Sequence, residues 1–164
     1  MEKIYGTKQR QDGIMRTGRS KWTLFYGFGK DDEAFESGWE YRHTFNHKPT
    51  LSEVKDLILS TINSETDQKI ISGLTWHDMP VWLSTENQFN YKAAFDLAAQ
   101  TNGESLPVKF KFGTDDNPVY YTFSTLEELK DFYITSLSHV QQVLDEGWQE
   151  KDNLDFSIFD LADE

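Results

Sequence analysis

The order of hydrophobic and polar positions marks out the elements of this chain. Trp39, Tyr41, His43 and Phe45 alternate with Glu40, Arg42 and Thr44. A period of two predicts a strand with one aromatic face and one polar face. Ile4-Tyr5 and Trp22 to Phe28 read as further strands, because aromatic and β-branched side chains fit a pleated surface. Gly6, Gly13, Gly18, Gly27, Gly29 and Gly38 fall between them as turn punctuation. Lys8 to Lys21 is polar and basic, and reads as a long loop or mobile arm.

The period then changes. Thr50-Leu51-Ser52-Glu53 has the form of a capping box, and Leu51, Val54, Leu57/Ile58 and Ile62 follow at helical spacing. This helix should run to about Asn63, with Thr66 to Ile71 able to prolong it. Leu74-Thr75-Trp76 and Val81-Trp82-Leu83 read as a hairpin turning at His77 to Pro80. Ser84 or Thr85 caps a second helix, with Phe89, Ala93 and Leu97 expected on its apolar face. Val108 to Phe112 and Val119 to Phe123 form a second alternating pair around Asp115-Asp116-Asn117-Pro118. The clearest pattern comes last. Leu126, Leu129, Tyr133, Leu137, Val140, Leu144 and Trp148 predict a long amphipathic helix capped by Ser124.

These elements imply an α+β fold: small antiparallel sheets or hairpins, with a long C-terminal amphipathic helix packed on them. Three stretches are expected: a β-rich N-terminal segment over 1–48, an α+β domain over 49–155 and an acidic tail over 156–164. The charge supports a change near His47-Lys48-Pro49. Residues 1–48 carry 9 basic and 7 acidic side chains, whereas residues 104–164 carry 4 and 14. No internal repeat is visible at periods of 20–50 residues.

Composition narrows the function classes. Leu, Ile, Val and Phe make up 24% of the 164 residues, above the roughly 20% below which disorder is expected. The net charge of −12 disfavours nucleic acid as a partner for the body of the protein, since phosphate binding needs an excess of Lys and Arg. A local basic cluster from Lys8 to Lys21, beside Trp22, Phe25, Tyr26 and Phe28, could set cations against phosphates and rings against bases, and suits an acidic neighbouring subunit at least as well. No apolar run approaches the roughly 18 residues of a membrane span, and the first residues show no apolar secretory signal. The chain has no cysteine, which excludes disulfides and thiolate metal sites.

Candidate chemistry is sparse, and neither catalytic residues, metal ligands nor cofactors are expected. His43 and His47 stand in an H-x3-H spacing, but on a strand they would lie about 13 Å apart. Gly27-Phe28-Gly29-Lys30 lacks the rest of a phosphate-binding loop, and Asp31-Asp32-Glu33 would repel a phosphate. Asp115 and Asp116 sit at a turn, without the separation across a cleft that paired catalytic carboxylates need. His77, Asp78 and His139 could meet only through the fold. The candidate binding residues are aromatic: Trp76 and Trp82 as possible pocket rings, Trp148, and Phe156 and Phe159 as anchors in an acidic tail.

From about Leu51 to Leu154 the order of elements resembles a domain family of unknown function found in bacteriophage and prophage tail-fibre regions, related to tail fibre assembly proteins. The resemblance rests on a glycine-aromatic strand, Gly73-Leu74-Thr75-Trp76. It also rests on the T-x-x-E-L helix start at Thr125 to Leu129 and on His139-Val140-Gln141 within the following helix. It implies a non-catalytic structural or tail assembly protein acting through protein–protein interfaces, with other tail proteins or its own copies as partners. The implied setting is a bacterial host cytoplasm or the virion, with no membrane. The alternative function is a small-ligand or carbohydrate-binding module that uses exposed Trp side chains.

Overall fold

The computed structural model describes residues 1–161. The chain folds into two compact units: residues 1–63 together with the chain from 151 onward, and residues 64–150. Both are mixed α and β, as the sequence pattern requires.

In the first unit, β1 (Glu2–Thr7), β2 (Gly13–Arg16), β3 (Trp22–Gly29) and β4 (Gly38–Phe45) form one antiparallel sheet, in the order β1-β4-β3-β2. Leu24, Tyr26, Tyr41 and Phe45 are buried against Val54, Ile58 and Ile62 of α1 (Leu51–Ser72). The alternation expected in β4 therefore holds at Tyr41 and Phe45. Its polar face departs from expectation, because Glu40 is fully buried. Gln11 reaches across and donates from Nε2 to both Glu40 carboxylate oxygens, at 3.1 and 2.8 Å. Arg42 pairs with the same carboxylate at 2.6 Å. A buried carboxylate needs such partners, and here they pin the segment before β2 onto the sheet.

The Lys8 to Lys21 stretch, expected as a loop or mobile arm, is not a loop throughout. It holds β2, paired with β3 from Gly13↔Phe25 to Arg16↔Trp22. Four residues on a sheet edge, with Arg16 and Met15 turned to solvent, give too short an alternation to stand out from basic flanks. At the other end of β3, Gly29 is required by close approach: a Cβ there would lie 2.2 Å from the Trp39 ring.

Thr50 caps α1 as its sequence predicts. Its backbone N–H donates to Glu53 at 2.8 Å, and the Glu53 N–H donates back to the Thr50 hydroxyl at 3.3 Å. The helix continues through Thr66 to Ser72. The chain then returns to the first unit as a short 3-10 helix, Phe156–Phe159, which buries Phe159 in the same apolar cluster.

The second unit is built on two hairpins. β5 (Leu74–Trp76) pairs with β6 (Met79–Val81), and β7 (Val108–Gly113) pairs with β8 (Pro118–Phe123). α2 (Thr85–Gln100) and α3 (Leu126–Asp152) complete it. Its core is an aromatic cluster in which Trp76, Tyr91, Phe112, Phe123 and Phe132 are all buried. The Trp76 ring lies 5.0–5.3 Å from those of Tyr121, Phe123 and Phe132, and its Nε1–H donates to Asp131 at 3.4 Å. The long helix thus packs on a hairpin through Leu129 and Phe132.

Both helical faces differ from the expected ones. In α2 the buried positions are Tyr91 and Ala98, while Phe89 and Leu97 face solvent. In α3 the buried line is Leu129, Phe132, Ser136, Val143 and Gly147, and Leu137 and Trp148 are exposed. The physical reason is local. Ser136 satisfies its own hydroxyl by donating to the Phe132 carbonyl at 2.9 Å, and Gly147 allows a close approach by Thr66, so small residues occupy the inner line. The helix is capped one residue later than Ser124, by Thr125, whose hydroxyl accepts from Glu128 N–H at 3.3 Å.

Candidate functional site

Two surface grooves lie in the unit formed by residues 64–150. The narrower, of about 210 Å³, runs between α2 and α3, with Leu83 at its base. Phe89 and Lys92 come from α2, and Tyr133, Leu137 and Val140 from α3. Phe89 is 71% exposed and Leu137 54% exposed, so its walls are apolar side chains left in water. Phe95 stacks on Tyr133 at 4.8 Å and fixes the spacing of the two helices on this side. Leu97 and Ile134 add further exposed apolar surface to the same pair of helices.

The wider groove, of about 770 Å³, lies between the end of β6, the start of α2 and β7 with its following turn. Trp82 stands at its side, 56% exposed. β6 ends at Val81, and in the short segment leading to α2 Val81 and Leu83 are buried while Trp82 between them is exposed. Asn87 donates from Nδ2 to the Trp82 carbonyl at 2.8 Å, and Ser84 caps α2 by accepting from Asn87 N–H at 3.2 Å. Lys111 and Asp115 form an ion pair at 3.2 Å on the β7 side. Tyr91 lines both grooves, and burial pushes its hydroxyl pKa up to about 12, so it stays protonated.

The structure separates the five aromatic candidates. Trp76 is a core residue, enclosed by Tyr121, Phe123 and Phe132 and stacked on His77 at 3.8 Å, so it cannot serve as a surface platform. Phe159 is likewise buried, and Phe156 packs half-buried beside the same cluster of the first unit. Trp82 and Trp148 remain exposed. Among these five, only Trp82 lines either groove. Nothing in the sequence places Asn87, Asn90, Lys111 and Asp115 at one groove, because no periodicity joins a helix start to a turn some 20 residues on. Trp82, expected with Trp76 as a pocket ring, is exposed at this groove.

The histidines have different partners. His77 stacks on Trp76, while His139 Nε2 contacts the Lys69 carbonyl at 3.0 Å and His47 pairs with Glu53 at 2.9 Å. Among the described residues, no group of three or more His, Asp or Glu could hold a metal ion, and no helix is long and apolar enough to cross a membrane.

A family model described as "Domain of unknown function (DUF4376)" matches residues 53–163. The chain belongs to the DUF4376 family. The matched span includes both hairpins, α2 and α3, and so both grooves, while β1 to β4 lie outside it. No curated protein and no solved structure matches the chain.

Proposed function

We propose that this DUF4376 protein is a non-catalytic structural or assembly component of a bacteriophage or prophage tail, working through protein–protein interfaces. The observation that carries the interface part is the apolar face of α2 and α3, where Phe89 and Leu137 stand exposed on either side of a groove. Large exposed apolar patches on soluble proteins mark interaction sites, because water contact with them is unfavourable. The tail assignment is supported by the order of elements from about Leu51 to Leu154 and by the Thr125 to Leu129 helix start, through their resemblance to tail-fibre-region domains. The partner is another tail protein or a second copy of the chain.

Light scattering of the purified chain, with co-purification from cells expressing the neighbouring tail genes, tests this reading. The expected result is a defined oligomer or a complex that Phe89→Glu abolishes. A strict monomer that brings down no tail component refutes it.

A further inference from the structure

We propose that the groove beside Trp82 binds a short neutral oligosaccharide. The proposal stands apart from the assembly reading, because this groove shares only Tyr91 with the apolar one.

The first support is the position of one ring. Trp82 follows β6, with buried Val81 and Leu83 on either side of it, and is 56% exposed beside an open groove of about 770 Å³. A rigid flat ring of this kind offers apolar area that the C–H face of a pyranose can cover at little entropic cost. The volume lies within the roughly 300–1,000 Å³ of small-molecule clefts.

The second support is the polar lining. Sugar hydroxyls both donate and accept, and an amide side chain does the same. Asn87 is held by its bond to the Trp82 carbonyl, which leaves its Oδ1 as an acceptor. The Asn90 side chain lines the groove and has no hydrogen bond among the described residues. Two amides one helical turn apart, next to an exposed indole, combine stacking with hydrogen bonding in one cleft.

The third support is charge, which selects a neutral ligand. Lys111 and Asp115 neutralise each other across 3.2 Å at the groove edge. Residues 64–150 carry 5 basic and 14 acidic side chains, so the surrounding field repels phosphates and acidic sugars. An extended apolar peptide fits less well, since Val81 and Phe112 at the base are already buried and Trp82 alone offers a large exposed apolar face.

The test follows the five indole N–H resonances of the ¹⁵N-labelled full chain during titration with maltotriose, cellotriose and triacetylchitotriose. Trp82→Phe assigns the Trp82 signal, and Trp148, exposed but outside the groove, is the internal control. The expected result is a saturable shift of Trp82 with at least one sugar while Trp148 stays fixed. Asn90→Ala should weaken that binding about tenfold. The proposal is overturned if no sugar shifts Trp82, if Trp148 shifts in parallel, or if Asn90→Ala leaves the affinity unchanged. Saturation of the groove by an apolar peptide, with no response to any sugar, overturns it as well.

Discussion

Leu137 and Phe132 occupy the same helix and give opposite forecasts. Periodicity alone puts Leu137 in the core; the structure leaves it 54% exposed and fully buries Phe132. Complete burial of a Leu side chain stabilises a fold by roughly 1.5–3 kcal/mol, and less than half of that area is covered here, so Leu137→Ala should cost about 1 kcal/mol or less. Phe132 lies 4.9–5.2 Å from the rings of Tyr91, Trp76, Phe112 and Phe123. Phe132→Ala leaves a cavity among them and should cost about 3–5 kcal/mol. Urea unfolding followed by circular dichroism, at protein concentrations low enough that association contributes nothing, measures both. The same Leu137→Ala protein should lose self-association or partner capture at higher concentration. If it is destabilised as much as Phe132→Ala, the exposed face belongs to the core and the interface reading fails with it.

Gly147→Ala should destabilise the protein despite the ~1 kcal/mol by which Ala favours a helix. The new Cβ would lie 2.5 Å from Thr66 Oγ1, and overpacking of that kind costs roughly 1–3 kcal/mol. In a Thr66→Ala background the same change should turn stabilising, and thermal melts of the double-mutant cycle would detect the sign change. Hydrogen bonds from the Thr50 backbone and hydroxyl, then from His47, hold the Glu53 carboxyl down at about 2 from its ordinary 4.5. Its contribution is therefore full above about pH 4.5 and is lost as pH falls toward 2, so Glu53→Gln should flatten that part of an acid-unfolding curve. In the first unit, Arg42→Ala should cost roughly 3 kcal/mol by leaving the buried Glu40 carboxylate without its cation. Glu40→Leu should cost clearly less in urea unfolding, because Arg42, 40% exposed, can turn to water.

Strong local signals predicted the elements well. The Thr50 capping box, the alternating Val108 to Phe112 strand and the long final helix all stand where periodicity and turn chemistry put them. Edge strand β2 escaped notice, because pairing with β3 and not its own composition makes Gly13 to Arg16 a strand. The burial of Glu40 was equally invisible. It depends on Gln11, 29 residues away, and no local pattern encodes that contact. Helix faces were legible only in part: Leu126, Leu129 and Val140 of the expected stripe pack on the core, but Leu137 and Trp148 do not. Periodicity identifies an apolar stripe but not what covers it, and in α3 the inner line is partly Ser136 and Gly147, residues that no hydrophobic template counts. The aromatic candidates split accordingly. Trp76 carries the core, whereas Trp82 is exposed, a difference that the sequence around the two rings does not show.

The mismatch between stripe and core bears on function. A helix that only had to stabilise one chain would place its large apolar residues inward and its small or polar ones outward. α3 buries Leu129, Phe132 and Val143 but also Ser136 and Gly147, while exposing Ile134, Leu137 and Trp148; α2 buries Tyr91 and Ala98 while exposing Phe89 and Leu97. Burial of small residues lets the backbones approach closely, as Gly147 does to Thr66, and turns the bulky side chains toward solvent. Scattered exposed apolar residues need no explanation, but Phe89 and Leu137 face one groove between two packed helices. An exposed apolar pair on one groove is the kind of surface that binding covers. Its presence favours a covered state, and for that reason the assembly proposal is anchored on this face and not on the acidic tail.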